Sequence, residues 1–203
     1  MEQGTQAWLD ARCGKVTASR MADLLAKTKN GPSASRANYM AELIAERLTG
    51  CPAERYVSKE MERGTEMEPE ARSAYEFFCD STVTLCGFID HPTIAMSGAS
   101  PDGLVGDAGL IEVKNPNTST HIDMLLAQEI PNKYQLQMQW QMACTGRQWA
   151  DFVSYDSRLP QNLRLFVKRL ERDDAKIKEM ETQAEIFLSE LDTKLMALQE
   201  KAA

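Results

Sequence analysis

Asp102 and the triplet Glu112-Val113-Lys114 are the residues of this chain whose types and spacing could do chemistry. They read as a short β-hairpin, with a strand over 102–105, a turn at Gly106–Gly109 and a second strand over 110–114. In a strand, residues i and i+2 project to one face, so Glu112 and Lys114 point together while Val113 points to the core. Paired in that way, Asp102 lies across from them. Two carboxylates offer hard oxygen ligands for Mg²⁺, and the adjacent ammonium completes a minimal set for metal-assisted phosphodiester hydrolysis. Pro-Asp, a variable gap and Glu-x-Lys form a weak motif when taken alone. Asp102-Gly103 reads equally as a turn, and Glu112 and Lys114 as a solvated strand face.

Three neighbouring features favour the chemical reading. Gly64-Thr65-Glu66-Met67-Glu68 places an acid on a helix just upstream of the strands, from which Glu68 can reach the site while Glu66 and Glu70 face solvent. Downstream, Gln135, Gln137, Gln139 and Gln141 crowd one helix with Tyr134 and Trp140. Gln137, Trp140 and Gln141 share a face at i, i+3 and i+4, and amides suit contacts to phosphate or base edges. The bland alternative is a polar helix edge with Trp140 in the core. Finally, Trp8, Arg12, Gly14, Thr17 and Ser19 set an arginine before a helix start that Thr17 or Ser19 can cap. Such hydroxyls beside a guanidinium make a phosphate pocket.

The elements that must position these residues follow from periodicity. The first third reads helical: a short helix over 5–12, one from about Ser19, one over 35–48 stopped by Gly50, and one over 61–79. Residues 83–89, 94–96 and the hairpin read as antiparallel strands, the last ended by Asn115-Pro116. Helices over 121–128 and 133–144, strands over 149–155 and 163–170 and a helix over 173–199 complete the chain. In the last helix, Ile177, Met180, Ala184, Phe187, Leu188, Leu191, Leu195 and Leu198 form one apolar stripe opposite an acidic face. That stripe is expected to pack against core or subunit, since a membrane-lying helix would want a basic face. The order predicts an α/β core sheet flanked by helices. The division expected is one nuclease domain over 1–203: a mainly helical part over 1–80, catalytic sheet and helices over 81–170, and a C-terminal helix over 171–203.

Composition narrows the classes. The 203 residues, 43% apolar and 26% charged, suit an ordinary globular protein. No apolar run approaches a membrane span and the start is no signal peptide, so a cytoplasmic protein without membrane contact is expected. Five scattered cysteines without a CxxC pair speak for idle thiols, and two histidines, His91 and His121, against histidine-based chemistry. The net charge of −7 argues against a simple nucleic-acid coat. It is uneven, however: residues 1–63 hold ten Lys/Arg against eight Asp/Glu, and residues 171–203 five against nine.

The motifs together resemble the λ-exonuclease and YqaJ-type viral recombinase family, a branch of the PD-(D/E)xK nuclease superfamily. The resemblance runs from Trp8 to the final helix. It rests on ordered blocks: Trp8, Arg12, Gly14 and Thr17-Ala18-Ser19; Gly64, Glu68 and Ala71-Arg72; Ser100-Pro101-Asp102-Gly103-Leu104; Glu112-Val113-Lys114 with Pro116; Gln137 and Gln139; and Tyr155-Asp156.

That resemblance implies a restriction-endonuclease-like core, with a mixed or antiparallel sheet flanked by helices and a long C-terminal helix. It implies processive degradation of the 5′-ended strand of linear duplex DNA from 5′-phosphorylated ends, releasing mononucleotides and leaving a 3′ overhang. Asp102 and Glu112 would ligate Mg²⁺, with the Val113 carbonyl as a further ligand; two ions are expected, and Mn²⁺ as a substitute. Lys114 would orient or deprotonate the attacking water, and Glu68 would support the same site. Arg12, Ser19, Ser100 and Gln137 would hold the 5′ phosphate, and Met61 would be the wedge that parts the terminal base pair. The partners implied are DNA ends, a single-strand annealing protein and two further copies in a homotrimeric ring. Asp90 is the one additional carboxylate that the stretch before the hairpin offers, and Asn115 has no assigned role. An endonuclease on the same core and a non-catalytic DNA-binding module are the alternatives, and the cysteine spacing offers no iron–sulfur cluster.

Overall fold

The computed structural model describes residues 2–29, 31–53 and 58–202, apart from the Met61 side chain. Helix α1 (Gln6–Arg12) starts at Thr5, whose hydroxyl accepts from the Trp8 N–H. Strand β1 (Val16–Thr17) runs through a 3₁₀ turn (Ala18–Arg20) into α2 (Met21–Leu25). Neither Thr17 nor Ser19 caps a helix through its side chain; their hydroxyls lie 3.4 Å from each other. A ribbon of β2 (Lys27–Thr28) and β3 (Gly31–Pro32) precedes α3 (Ala34–Thr49). Ser33 caps α3 by accepting from the Arg36 N–H, and Gly50 ends it at φ 67°, a left-handed conformation that costs glycine no steric clash.

After α4 (Lys59–Cys79) come β4 (Val83–Thr84), β5 (Ile89–Asp90) and β6 (Ser97–Ala99). The expected strand over 83–89 is thus two short ones, and 94–96 is no strand. Met96 has φ 59°, which breaks the extended run and delays the strand to Ser97. The hairpin is present as β7 (Gly103–Val105) and β8 (Gly109–Lys114). Helices α5 (Thr118–Ala127) and α6 (Asn132–Thr145) follow, then β9 (Trp149–Tyr155), β10 (Leu165–Glu171) and α7 (Asp174–Ala202).

The architecture is mixed α/β. The larger sheet has the order β10-β9-β8-β7-β4, with β8 and β9 parallel and the other pairs antiparallel. A smaller sheet, β1-β6-β5, pairs β1 and β6 in parallel. The sheet strands are therefore not all antiparallel, and α5 and α6 make the crossover that parallel neighbours require.

Both faces of the larger sheet are covered. On one, Ala71 and Tyr75 of α4 pack on Ile111, Val113 and Val153. On the other, Met124 of α5 and Met138 and Met142 of α6 pack on Leu110, Ala150 and Phe152. A strand buried on both faces reads as a nearly continuous apolar run, and Gly109–Lys114 does so apart from Glu112 and Lys114. The far side of α6, with Leu136, Trp140 and Cys144, meets α2, α3 and the α7 stripe. That stripe is buried through Leu191; Leu195 is partly buried and Leu198 is exposed. At about 1.5–3 kcal/mol for each large side chain buried, α6 is the element on which sheet and N-terminal helices depend together.

Candidate active site

The hairpin register puts Gly103 opposite Ile111, which brings Asp102, one residue earlier, beside Glu112. Gly103 is a strand residue and not the turn it resembles. A Cβ there would lie 2.1 Å from Val83 Cγ1, so only glycine lets β4 close on the hairpin. Asp102 Oδ2 accepts from the Val113 N–H at 2.6 Å, and Val113 sends its side chain to the α4 face.

Glu112 is buried and faces α6. Its Oε1 accepts from Lys114 Nζ and from Gln137 Nε2 (2.6 Å), and its Oε2 accepts from Gln141 Nε2 (2.5 Å). The Lys114 ammonium also lies 5.3 Å from the Tyr134 ring centroid. Gln137 and Gln141, one turn apart on α6, thus hold both oxygens of one carboxylate. Trp140 does not share their face: it is buried against His91, ring centroids 5.0 Å apart. Gln141 shares the face of Gln137 as its spacing signals, and its amide is turned to Glu112 where a contact to phosphate or base edges was expected.

The electrostatics are unbalanced. Burial raises the Asp102 pKa well above the carboxylate range, and the neighbouring charges of Glu112 and Glu68 push it further, against the pull of Lys114. Burial works against the Lys114 ammonium, but Glu112 and Asp102 outweigh it and raise its pKa. Glu68 is half-buried on α4 and accepts from Arg72 Nη1 at 3.2 Å. Asn115 Nδ2 donates to the Gly64 carbonyl (2.8 Å), which ties α4 to the end of β8 and sets the position of Glu68 one turn on. Asn115 therefore has a positioning role. Glu66 and Glu70 are both exposed as expected, and Glu70 also accepts from the Tyr155 hydroxyl at 2.7 Å. Asp90 lies apart, paired with Lys15 at 2.6 Å.

The donor set fits a divalent cation. Mg²⁺ is characteristically held by one or two carboxylates and keeps several waters. The crowding that destabilises the Asp102 charge is what a bound cation relieves. Asp102 and Glu112 are two such carboxylates, and among the described residues no group of three His, Cys, Asp or Glu side chains converges.

Arg12 and Ser100 also meet. Arg12 Nη1 donates to Ser100 Oγ at 3.1 Å, Trp8 Nε1 donates to the same oxygen at 2.9 Å, and the Arg12 guanidinium lies 4.2 Å from the Trp8 ring centroid. The Trp8–Arg12 spacing of one helical turn is the signal for that stack. Ser19 is exposed in the 3₁₀ turn, which packs against α6. Arg12 further borders a cleft of about 350 Å³ with Thr17, Tyr39 and Glu46; the carboxylates of the hairpin lie outside it. Met61 is on α4, and its side chain lies outside the described residues.

Fold and site together define a mixed α/β protein, its sheets flanked by helices, with paired carboxylates and a lysine on a central hairpin. The model of the YqaJ-like viral recombinase domain matches residues 7–148, and the chain belongs to that family. It is similar to the alkaline exonuclease LHK-Exo from Laribacter hongkongensis, at 56% identity and TM-score 0.91 over 98% of each chain. The structure of LHK-Exo in complex with dAMP gives TM-score 0.92 at the same identity and coverage. A phage-related exonuclease from Haemophilus somnus 129PT shares the fold at 18% identity and TM-score 0.70, over 89% of this chain and 96% of its own. A comparison with curated protein sequences gives no match. No described helix is long and apolar enough to cross a membrane.

Proposed function

We propose that this chain, an exonuclease, acts as one nuclease domain that degrades the 5′-ended strand of linear duplex DNA from 5′-phosphorylated ends. It releases mononucleotides and leaves 3′ overhangs for annealing-type recombination. The observation that carries this reading is the pairing of Asp102 and Glu112 beside Lys114, with the Arg12–Ser100 contact two residues from Asp102. Asp102, Glu112 and the Val113 carbonyl hold Mg²⁺, in two ions, with Mn²⁺ able to substitute. When bound, such ions supply Lewis-acid polarisation of the scissile phosphate and lower the pKa of a bound water. Lys114 orients the attacking water or takes its proton, and Gln137 and Gln141 keep the Glu112 carboxylate turned to the site. Glu68 adds negative charge from α4. Arg12, Ser19, Ser100 and Gln137 receive the 5′ phosphate, the guanidinium giving charge-assisted hydrogen bonds, and Met61 parts the terminal pair. A homotrimeric ring keeps the strand threaded, and a single-strand annealing protein takes up the overhang.

The test is digestion of a linear duplex labelled separately at each 5′ and 3′ end, with and without Mg²⁺ and a 5′ phosphate. Labelled mononucleotide should leave first from 5′-phosphorylated ends, and only with the metal. Cutting of covalently closed circles would move the assignment to an endonuclease.

A further inference from the structure

Arg63 and Arg158 converge on one buried carboxylate beside the site, and the reaction above gives neither of them a role. Asp156 directly follows β9 and is fully buried. It accepts from Arg158 Nε (2.7 Å), Arg158 Nη2 (2.9 Å), the Arg158 N–H (3.1 Å), Thr118 Oγ1 (2.7 Å) and Arg63 Nη2 (3.3 Å). The same two arginines donate to the Pro116 carbonyl, Arg63 through Nη1 at 3.3 Å and Arg158 through Nη2 at 3.4 Å. Burial opposes the Asp156 charge, but the hydrogen bonds from Arg158 and Thr118 outweigh it and hold the carboxyl ionised, well below the usual range. One negative charge therefore faces two positive ones, and a positive surplus remains.

That surplus is presented outward. The Arg63 and Arg158 side chains are 28% and 48% exposed, while Asp156 beneath them is sealed. Thr118 opens α5, so the positive end of a ten-residue helix adds to the same spot. Pro116 stands two residues beyond Lys114, about 7 Å along extended chain. That is the span of one or two nucleotides of a DNA strand, which rises about 3.4 Å along the axis for each. Both arginines are bound to the backbone that leaves the active strand.

We propose that Arg63 and Arg158, locked in place by Asp156, form a phosphate clamp that grips the sugar–phosphate backbone one or two nucleotides from the scissile bond. The clamp rests on the reading of DNA as substrate. It binds without reading sequence, since phosphate contacts fix register and carry no base information. Arginine suits it because the planar fork meets phosphate in two parallel bonds.

The experiment measures binding of a fluorescent 5′-phosphorylated linear duplex to the Asp102→Asn protein across a salt series. Adding Arg158→Ala should weaken binding about tenfold, the loss of one charge-assisted bond. It should also flatten the slope of log K against log salt by about 0.9 for each phosphate released. Arg158→Lys should keep the slope while losing part of the affinity, and Arg63→Gln should flatten it alone. Should Arg158→Ala fail to fold, those two variants decide. Unchanged affinity and slope in variants with the parental melting temperature would overturn the clamp and leave the exonuclease reading intact. No duplex binding by the Asp102→Asn parent would overturn both.

Discussion

Two carboxylate sites, each with a fully or nearly buried member, share the central sheet and are treated in opposite ways. On the α4 face, Asp151 is 2% exposed and accepts from the Tyr75 hydroxyl (2.8 Å), Arg169 Nε (2.8 Å) and Arg169 Nη2 (2.8 Å). The Arg169 guanidinium is itself backed by the Trp149 ring, 3.5 Å from its centroid. Across the hairpin, Lys114 contacts Glu112, and Asp102, with Glu68 nearby, feels the same cation through space. Burial alone therefore does not mark a functional carboxylate. What separates the sites is compensation: Asp151 has its counter-charge built into the fold, whereas Asp102 carries a charge the protein disfavours until something positive arrives.

The comparison can be broken most sharply at the hairpin. Asp102→Asn and Glu112→Gln should each lower exonuclease turnover by about 10³-fold or more, roughly 4 kcal/mol of transition-state stabilisation. Activity within tenfold of the parent would return these carboxylates to structural duty. Next in size is Asp151→Asn, which strands Arg169 and should cost about 2–4 kcal/mol. That is discounted from the range for a fully buried pair because Arg169 is half exposed. Urea denaturation measures it, and the folded fraction should digest DNA at the parental rate. Lost turnover without lost stability would erase the difference between the two sites.

Arg12→Ala should slow digestion about tenfold on 5′-phosphorylated ends and less on 5′-hydroxyl ends; equal slowing would remove Arg12 from the phosphate pocket. The smallest effect is on stability without metal. Because the Asp102 pKa is raised in the folded state, its charge costs stability above the ordinary carboxylate range. The metal-free parent should therefore lose stability as pH climbs through the raised value. Asp102→Asn should lack that loss and melt a few degrees higher at alkaline pH, about 2–4 °C per kcal/mol in a chain this size. Mg²⁺ should raise the melting temperature of the parent and leave the variant unmoved.

The parts of the fold that declare themselves locally were legible in the sequence. Gly50 ends α3, Asn115-Pro116 ends β8, and the i, i+2 rule alone turns Glu112 and Lys114 to one side. Pairing between distant segments was not legible. The apolar run of β9 is the same whether it lies parallel or antiparallel to β8, and nothing near Phe152 announces Glu112 as its neighbour. Strands β4, β5 and β6 are too short for an alternation to register, so Met96 and its turn passed as strand. In the site, the hairpin carboxylates could be found because one turn joins them. The hold of Gln141 on Glu112, the Asn115 tie to Gly64 and the arginines around Asp156 exist only once distant elements close on each other.

Ser100 and Asp102 are separated by Pro101 alone, at most about 7 Å of backbone, and the proline ring fixes one of its few soft dihedrals. On the proposed reading, Ser100 touches the phosphate at the strand end and Asp102 marks the bond to be cut. Product length then becomes a property of a stiff tripeptide: the enzyme measures before it cuts, and its unit of measure is a single nucleotide.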